Sequence, residues 1–151
     1  MKLFAAILSA ALLASAAFAA DVDIYSAREI QTMSQALAAK HTSFASRDLA
    51  RYGNHYLMLA YREETGSSEL HETEADIFVV ESGSATILTG GKLISGHTVK
   101  SGEIRGSGIQ GGERHFLGAG DIVHIPAGTP HQLLLDKSKP FTYFVVKVSG
   151  Q

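Results

Sequence analysis

The stretch that decides the fold is Gly120-Asp-Ile-Val-His-Ile-Pro126-Ala-Gly128-Thr-Pro-His131. Gly120 precedes a short apolar run, and Pro126 ends that run at a position where no backbone donor is required. Gly128 permits a tight turn, after which His131 begins a returning strand. Glycine, proline, glycine and histidine at these positions therefore predict two short strands joined by a tight turn.

Short apolar runs broken by glycine, serine and proline lie on both sides of this stretch. Six or more short strands with close turn signals are typical of an all-β sandwich or barrel. Gly90 and Gly91 predict a tight hairpin between residues 85–89 and 92–94, because glycines readily adopt positive φ angles. Residues 95–112 contain six glycines and are interpreted as loops around one short strand. The other predicted strands are 56–62, 77–80, 85–88, 122–125, 132–135 and 141–148.

One amphipathic helix is predicted ahead of the strands, at residues 27–40. Ser26 and Glu29 form the pattern of a capping box, in which each side chain satisfies a backbone N–H at the helix start. We expect this helix to pack outside the β-domain. Apolar residues recur at helical spacing: Ile30, Met33, Leu37 and, as an extension of the stripe, Phe44.

Residues 1–19 have the pattern of a secretory signal peptide, with a basic start, an apolar segment and the small-x-small sequence Ala17-Phe18-Ala19. The apolar run is shorter than the about 20 residues that a membrane-spanning helix needs, so a cleaved leader is favoured over an anchor. Cleavage is expected after Ala19, with Ala20 as the adjacent alternative. The chain is then expected to be periplasmic or secreted, without a stable membrane anchor, and to consist of a helical segment (20–53) and a β-barrel domain (54–151).

Composition excludes several classes of function. The 151 residues include 13 Lys and Arg against 15 Asp and Glu, and the basic residues are scattered, so nucleic acid is not an expected partner. The chain contains no cysteine, so any metal must be held by histidines and carboxylates. Gly106, Gly108 and Gly111 match a dinucleotide motif in spacing, but no helix is predicted after them, and nucleotide binding is not expected. A Gly-x-Ser-x-Gly motif is absent from the sequence, which disfavours serine hydrolysis.

The spacing of residues 120–131, Gly-x5-Pro-x-Gly-x2-His, resembles the second motif of the cupin superfamily. The first cupin motif is His-x-His-x(3 or 4)-Glu-x6-Gly, and Glu69-x-His71-x4-Asp76-x6-Gly83 lies upstream at the same spacing. The resemblance covers residues 69–148. It implies an all-β fold, a cupin-type jelly-roll β-barrel with one N-terminal amphipathic helix.

In the cupin family these motif positions bind a metal. The resemblance therefore implies one divalent transition metal, Mn, Fe, Zn or Ni, which nitrogen and oxygen donors suit. The period of two residues places Glu69 and His71 on one face of a strand, where their side chains can converge inside a barrel. The implied ligands are Glu69, His71, Asp76 and His131.

The sequence departs from the cupin pattern at four positions, which are Glu69 for histidine, Asp76 for glutamate, Glu63 for glycine and Leu135 for asparagine. Glu72 is an alternative to Glu69 as the ligand. A metal-free small-molecule pocket and a filled structural interior stay open as alternatives to an occupied metal site.

Two functions follow as expectations. The first is a metal-dependent enzyme of dioxygenase or isomerase type, with His124 or His115 as the acid or base; His124 faces either the pocket or the barrel exterior, and His115 is either at the mouth or in a solvated loop. The second is a metal-free protein that binds a sugar, a phenolic compound or another small molecule without catalysis. A homodimer is expected, because the apolar segment 141–148 should not stay exposed at a sheet edge.

Overall fold

The computed structural model describes residues 22–137 and 139–150, so the predicted signal peptide and its cleavage site lie outside the described residues. Within these ranges one helix is followed by thirteen strands. In chain order the elements are α1 (Ala27–Ala38), β1 (Phe44–Arg51), β2 (His55–Arg62), β3 (Ser68–His71), β4 (Glu74–Ser82), β5 (Ser84–Thr89), β6 (Lys92–Ile94), β7 (His97–Lys100), β8 (Glu103–Gly106), β9 (Gly108–Gln110), β10 (Glu113–Gly118), β11 (Ile122–Ile125), β12 (His131–Leu134) and β13 (Phe141–Ser149).

The strands form two antiparallel sheets with an apolar core of buried residues from both. The five-stranded sheet has the order β1-β2-β13-β4-β11, and the six-stranded sheet has the order β10-β5-β12-β3-β8-β7. Strands β6 and β9 form a separate pair. The all-β class with one N-terminal helix, predicted from the sequence, is confirmed. The largest core side chains are Phe78, Ile87, Leu117, Ile125, Leu133, Phe141 and Tyr143.

Helix α1 packs against strand residues of the five-stranded sheet. Ile30 and Leu37 of α1 lie in one cluster with Leu59 and Tyr61 of β2, while the intervening Ala60 belongs to the core between the sheets. The capping box is present, since the Glu29 backbone N–H donates to Ser26 Oγ at 3.3 Å and the Ser26 N–H donates to the Glu29 carboxylate at 2.8 Å. Among the described residues, no helix has the length and apolarity that a membrane crossing requires.

The N-terminal boundary differs from the prediction. The helix ends at Ala38, and Phe44, expected to extend its apolar stripe, is the first residue of β1. Strand β1 pairs with β2 along its length, so the sheet begins inside the segment 20–53 that was expected to be helical. Most residues of β1 are half-buried or exposed. Apolar and polar residues therefore do not alternate clearly along β1, and a strand there was not predicted from the sequence.

Two expectations about the glycine-rich region are wrong. Gly90 and Gly91 do adopt positive φ angles, but β5 pairs with β10 and β12, whereas β6 pairs with β9. Residues 95–112 contain β7, β8 and β9, three strands instead of one. These strands are short and β7 is exposed throughout, so hydrophobic periodicity gave no signal for them.

The apolar strand β13 is not at an edge. It lies between β2 and β4, and its residues from Phe141 to Val148 are buried or half-buried within the monomer. The reason given for a homodimer therefore does not apply, and the homodimer stays a prediction. Large exposed apolar side chains are found instead on the edge strands β10 and β11, at Phe116 and Ile122.

A matched pair of substitutions tests this assignment of the core. Phe141 is 0% exposed and Phe116 is 73% exposed. We expect Phe141→Ala to lower the free energy of unfolding by about 3–5 kcal/mol, because a large cavity forms in the core. Phe116→Ala should change it by less than about 0.5 kcal/mol. Urea denaturation followed by circular dichroism measures both, and similar losses in the two variants would contradict the assignment.

Candidate metal centre

Two rows of residues, one from each sheet, form the candidate site. In the six-stranded sheet, backbone pairing places His131 of β12 opposite Glu69 of β3, and Glu69 opposite Arg105 of β8. In the five-stranded sheet it places Lys147 of β13 opposite Asp76 of β4. Side chains from both rows meet, and the register of the strands fixes which residues do so.

The turn of residues 126–131 holds the two histidine-bearing strands together. The Gly128 N–H donates to the backbone carbonyl of His71 at 2.7 Å. His131 Nδ1 lies 3.0 Å from the carbonyl oxygen of Thr129. Because a carbonyl oxygen only accepts, Nδ1 carries the proton, and a neutral His131 ring has its Nε2 lone pair free to bind a ligand.

Two imidazoles and two carboxylates converge in the interior. His71 Nε2 lies 3.5 Å from Glu69 Oε2 and 3.4 Å from Asp76 Oδ2, and His131 Nε2 lies 3.5 Å from the same Asp76 oxygen. Glu69, His71 and His131 each offer a ligand atom within 4.8 Å of the others. The four residues that the first and second motifs implied as metal ligands are therefore brought together.

The contacts from His71 to Glu69 and Asp76, and from His131 to Asp76, have the spacing of atoms that share a transition-metal ion. Ligand atoms about 2.1 Å from a tetrahedral ion are about 3.4 Å from each other, close to the three distances above. Within the described chain, both ring nitrogens of His71 are buried without a hydrogen-bond partner. Buried polar atoms are usually paired, and the carboxylate oxygens nearest to His71 Nε2 lie only at 3.4 and 3.5 Å, so an ion bound to Nε2 would satisfy a nitrogen that the chain pairs weakly.

Glu69 is held as a carboxylate by two arginines. Arg105 Nη1 donates to Glu69 Oε1 at 3.0 Å and Arg62 Nη2 donates to the same oxygen at 3.3 Å. Burial opposes ionisation, but the contact with His71 and the charges of Arg105 and Arg62 outweigh it, and the pKa of Glu69 is lowered to about 2. Both arginines donate to Oε1, so Oε2 of the ionised carboxylate is left facing His71, where it could bind a metal ion.

Asp76 has a cation of its own. Asp76 Oδ1 lies 2.6 Å from Lys147 Nζ, an ion pair that lacks the angles of a good hydrogen bond.

Burial lowers the pKa of His131 below its usual range and outweighs the opposing effects of Glu69 and Asp76. The neutral ring is the form that binds metal ions.

The described surface cavities do not coincide with this cluster. One of about 380 Å³ and another of about 570 Å³ are both lined by residues of α1, including Arg28. The cluster itself is buried, and its most exposed neighbour is Arg105, which contacts Glu69.

Comparisons with known proteins agree with this architecture. A family model described as a cupin domain matches residues 95–147. A protein with a double-stranded β-helix domain from Klebsiella pneumoniae has 17% identity over 87% of this chain and 93% of its own, with a TM-score of 0.59. The chain has a cupin fold. The resemblance predicted from the two sequence motifs is thereby confirmed.

Two enzymes share this cupin fold at low identity. The DMSP lyase DddQ from Ruegeria pomeroyi is 21% identical, with 71% of this chain and 47% of the lyase covered and a TM-score of 0.51. The polyketide cyclase RemF from Streptomyces resistomycificus is 17% identical, with 70% and 65% covered and a TM-score of 0.50. This chain thus spans about half of the lyase and less than two thirds of the cyclase. No curated protein sequence matches it significantly.

The structure does not bring the predicted acid and base residues to the cluster of two imidazoles and two carboxylates. His124 alternates with the inward Val123 and Ile125 and is exposed, and His115 is exposed beside Glu113. Glu72, the alternative ligand, is also exposed. We therefore assign none of these three a direct part in the site.

Sequence reasoning missed the three cations of this site, which are Arg62, Arg105 and Lys147. A signal existed for Lys147, since it continues the inward series Phe141, Tyr143, Val145 at a period of two, where a lysine is unexpected. Arg105 lies in the glycine-rich region, where no periodicity was available.

The pH dependence of stability tests the state of Glu69. A carboxyl with a lowered pKa stabilises the fold above its ordinary pKa and loses that contribution as the pH falls toward its folded pKa. We expect the stability advantage of the wild type over Glu69→Gln to be constant above about pH 5 and to fall by about 2 kcal/mol by about pH 3.

Urea denaturation with a chelator present, repeated at each pH, measures this difference. Glu72→Gln is the matched control, because Glu72 is exposed on the next turn, and its difference from the wild type should not follow this pH profile. A difference between wild type and Glu69→Gln that does not vary with pH would show that Glu69 is not held ionised by its neighbours.

Proposed function

We propose that this cupin binds one divalent transition-metal ion in the barrel and acts on a small organic molecule beside it. The observation that carries the proposal is the convergence of Glu69, His71 and His131, whose ligand atoms lie within 4.8 Å of one another, with Asp76 Oδ2 at 3.4 and 3.5 Å from the two imidazoles. Mn, Fe, Zn and Ni all suit this set of donors.

The surrounding residues prepare the cluster for such an ion. The Thr129 carbonyl leaves His131 Nε2 free to bind, and Arg62 and Arg105 keep Glu69 ionised. A divalent ion held by these residues would polarise a carbonyl or enolate oxygen or lower the pKa of water. Arg105 is the most exposed of the three cations that contact the cluster.

The class of substrate is part of the proposal. The structural neighbours named above include a DMSP lyase and a polyketide cyclase, which supports a small organic substrate. Metal-dependent oxygenation or isomerisation is the reaction type we propose. Export through the N-terminal signal peptide and a homodimeric state belong to the same proposal.

A metal-free binding protein is the second candidate, and one observation favours it. Each carboxylate of the cluster already has a cation from the chain, Arg62 and Arg105 for Glu69 and Lys147 for Asp76. The cluster is therefore charge-compensated without an ion. In this alternative the barrel binds a sugar, a phenolic compound or a similar small molecule without catalysis.

Elemental analysis of protein purified without affinity tag or chelator separates the two candidates. We expect about one equivalent of transition metal in the wild type and less than about a tenth in the His71→Ala/His131→Ala variant, because both imidazole ligands are lost. His124→Ala is the matched control and should retain the metal, since His124 is exposed away from the cluster.

Reconstitution with Mn, Fe, Ni and Zn completes the experiment. If the folded wild type takes up less than about a tenth of an equivalent of every ion, the proposal of a metalloenzyme is wrong and the metal-free candidate is favoured.

A further inference from the structure

Lys147 is a buried cation in direct contact with a proposed metal ligand. It is 8% exposed and Asp76 is 2% exposed. Its ammonium group lies 2.6 Å from Asp76 Oδ1, while Asp76 Oδ2 faces both imidazoles. Asp76 thus lies between a cation of the chain and the place proposed for the metal.

We propose that Lys147 competes with the metal ion for Asp76 and thereby weakens metal binding, so that the ion is held reversibly. This inference rests on the proposed function, because it concerns the same four ligands. It assigns to Lys147 the role of a positioning residue that sets the affinity of the site.

Asp76 is the only ion-pair partner that the described chain offers to Lys147, whose Nζ also has no hydrogen-bond partner there. A metal ion at Asp76 Oδ2 leaves Asp76 Oδ1 facing the ammonium group, but one negative charge is then shared between two cations, and the buried ammonium group is only partly compensated. Uncompensated buried charge is strongly unfavourable. The ion must therefore bind against this penalty.

The fold prevents Lys147 from moving out of the way easily. Backbone pairing places Lys147 directly opposite Asp76, in a central strand that is bonded to neighbours on both sides. The arginines at Glu69 differ, because each has a further partner. Arg62 Nε donates to Tyr143 Oη at 3.0 Å, and Arg105 also binds Glu103 and Ser67. The competition is therefore specific to Asp76.

The test is the affinity for Zn²⁺ of the full chain and of Lys147→Met, measured by competition with a chromophoric chelator. Methionine keeps the approximate length of lysine but removes the charge. We expect Lys147→Met to bind Zn²⁺ at least about tenfold more tightly than the wild type, because no buried cation opposes the ion. Lys92→Met removes a charge from an exposed lysine of β6 and should leave the affinity unchanged.

Thermal unfolding with and without Zn²⁺ gives an independent readout. Lys147→Met leaves Asp76 without its cation, so we expect it to lose stability without metal and to regain it with Zn²⁺, with a larger shift in Tm than the wild type shows. Lys147→Gln, whose amide can donate to Asp76, carries the same two measurements if the methionine variant does not fold without metal.

The outcomes separate this inference from the proposed function. If the wild type binds Zn²⁺ but neither Lys147→Met nor Lys147→Gln binds it more tightly, the role proposed for Lys147 is wrong and the metal site stands. The same conclusion follows if the wild type binds Zn²⁺ but neither variant regains stability with Zn²⁺. If the folded wild type and folded neutral variants all fail to bind, both the inference and the proposed metal site are wrong.

Discussion

The compensation of two carboxylates buried between the sheets is the constraint on which the rest of the site depends. The side chains of Glu69 and Asp76 are only 14% and 2% exposed, and an unpaired carboxylate is strongly unfavourable at so buried a position. Their cations come from β2, β8 and β13, and therefore from both sheets. Each ion pair requires the correct strand order and register, because a slip of one residue would turn a charged side chain to the other face. The buried ion pairs therefore form only with the strand order and register of this barrel.

The parts of the structure that were predictable from the sequence are those with a local cause. Residues 76, 78 and 80 face inward because side chains alternate along a strand, and Ser26 with Glu29 begins a helix by local hydrogen bonds. Gly83 of the first motif has a φ of 80°, and a Cβ there would lie 2.0 Å from the Pro140 carbonyl oxygen. A side chain does not fit at that position, which explains in physical terms why a glycine stands at the end of the motif.

The features that sequence reasoning did not reach depend on contacts between distant strands. Gly90 and Gly91 correctly indicated positive φ angles, but backbone angles do not determine which strands pair, and β5 is bonded to β12 and β10. The period of two residues placed His124 on one of two faces without identifying the inner one. The inward position of Lys147 follows from the period of its strand, but its partner Asp76 does not, because a pattern of hydrophobicity does not show which charge faces a residue across the sheet.

The replacement of histidine by Glu69 and the presence of Lys147 are connected through charge. The first and second cupin motifs supply three histidines and one glutamate, a set with one negative charge when the imidazoles are neutral. Glu69 and Asp76 give this chain a ligand set with two negative charges, and the chain places cations beside both, Arg62 and Arg105 at Glu69 and Lys147 at Asp76. Positive charges are therefore fixed beside two of the ligands. A metal ion entering this cluster meets carboxylates that are already paired, so its affinity depends on the arrangement of the charges around the ligands as well as on the charges of the ligands themselves.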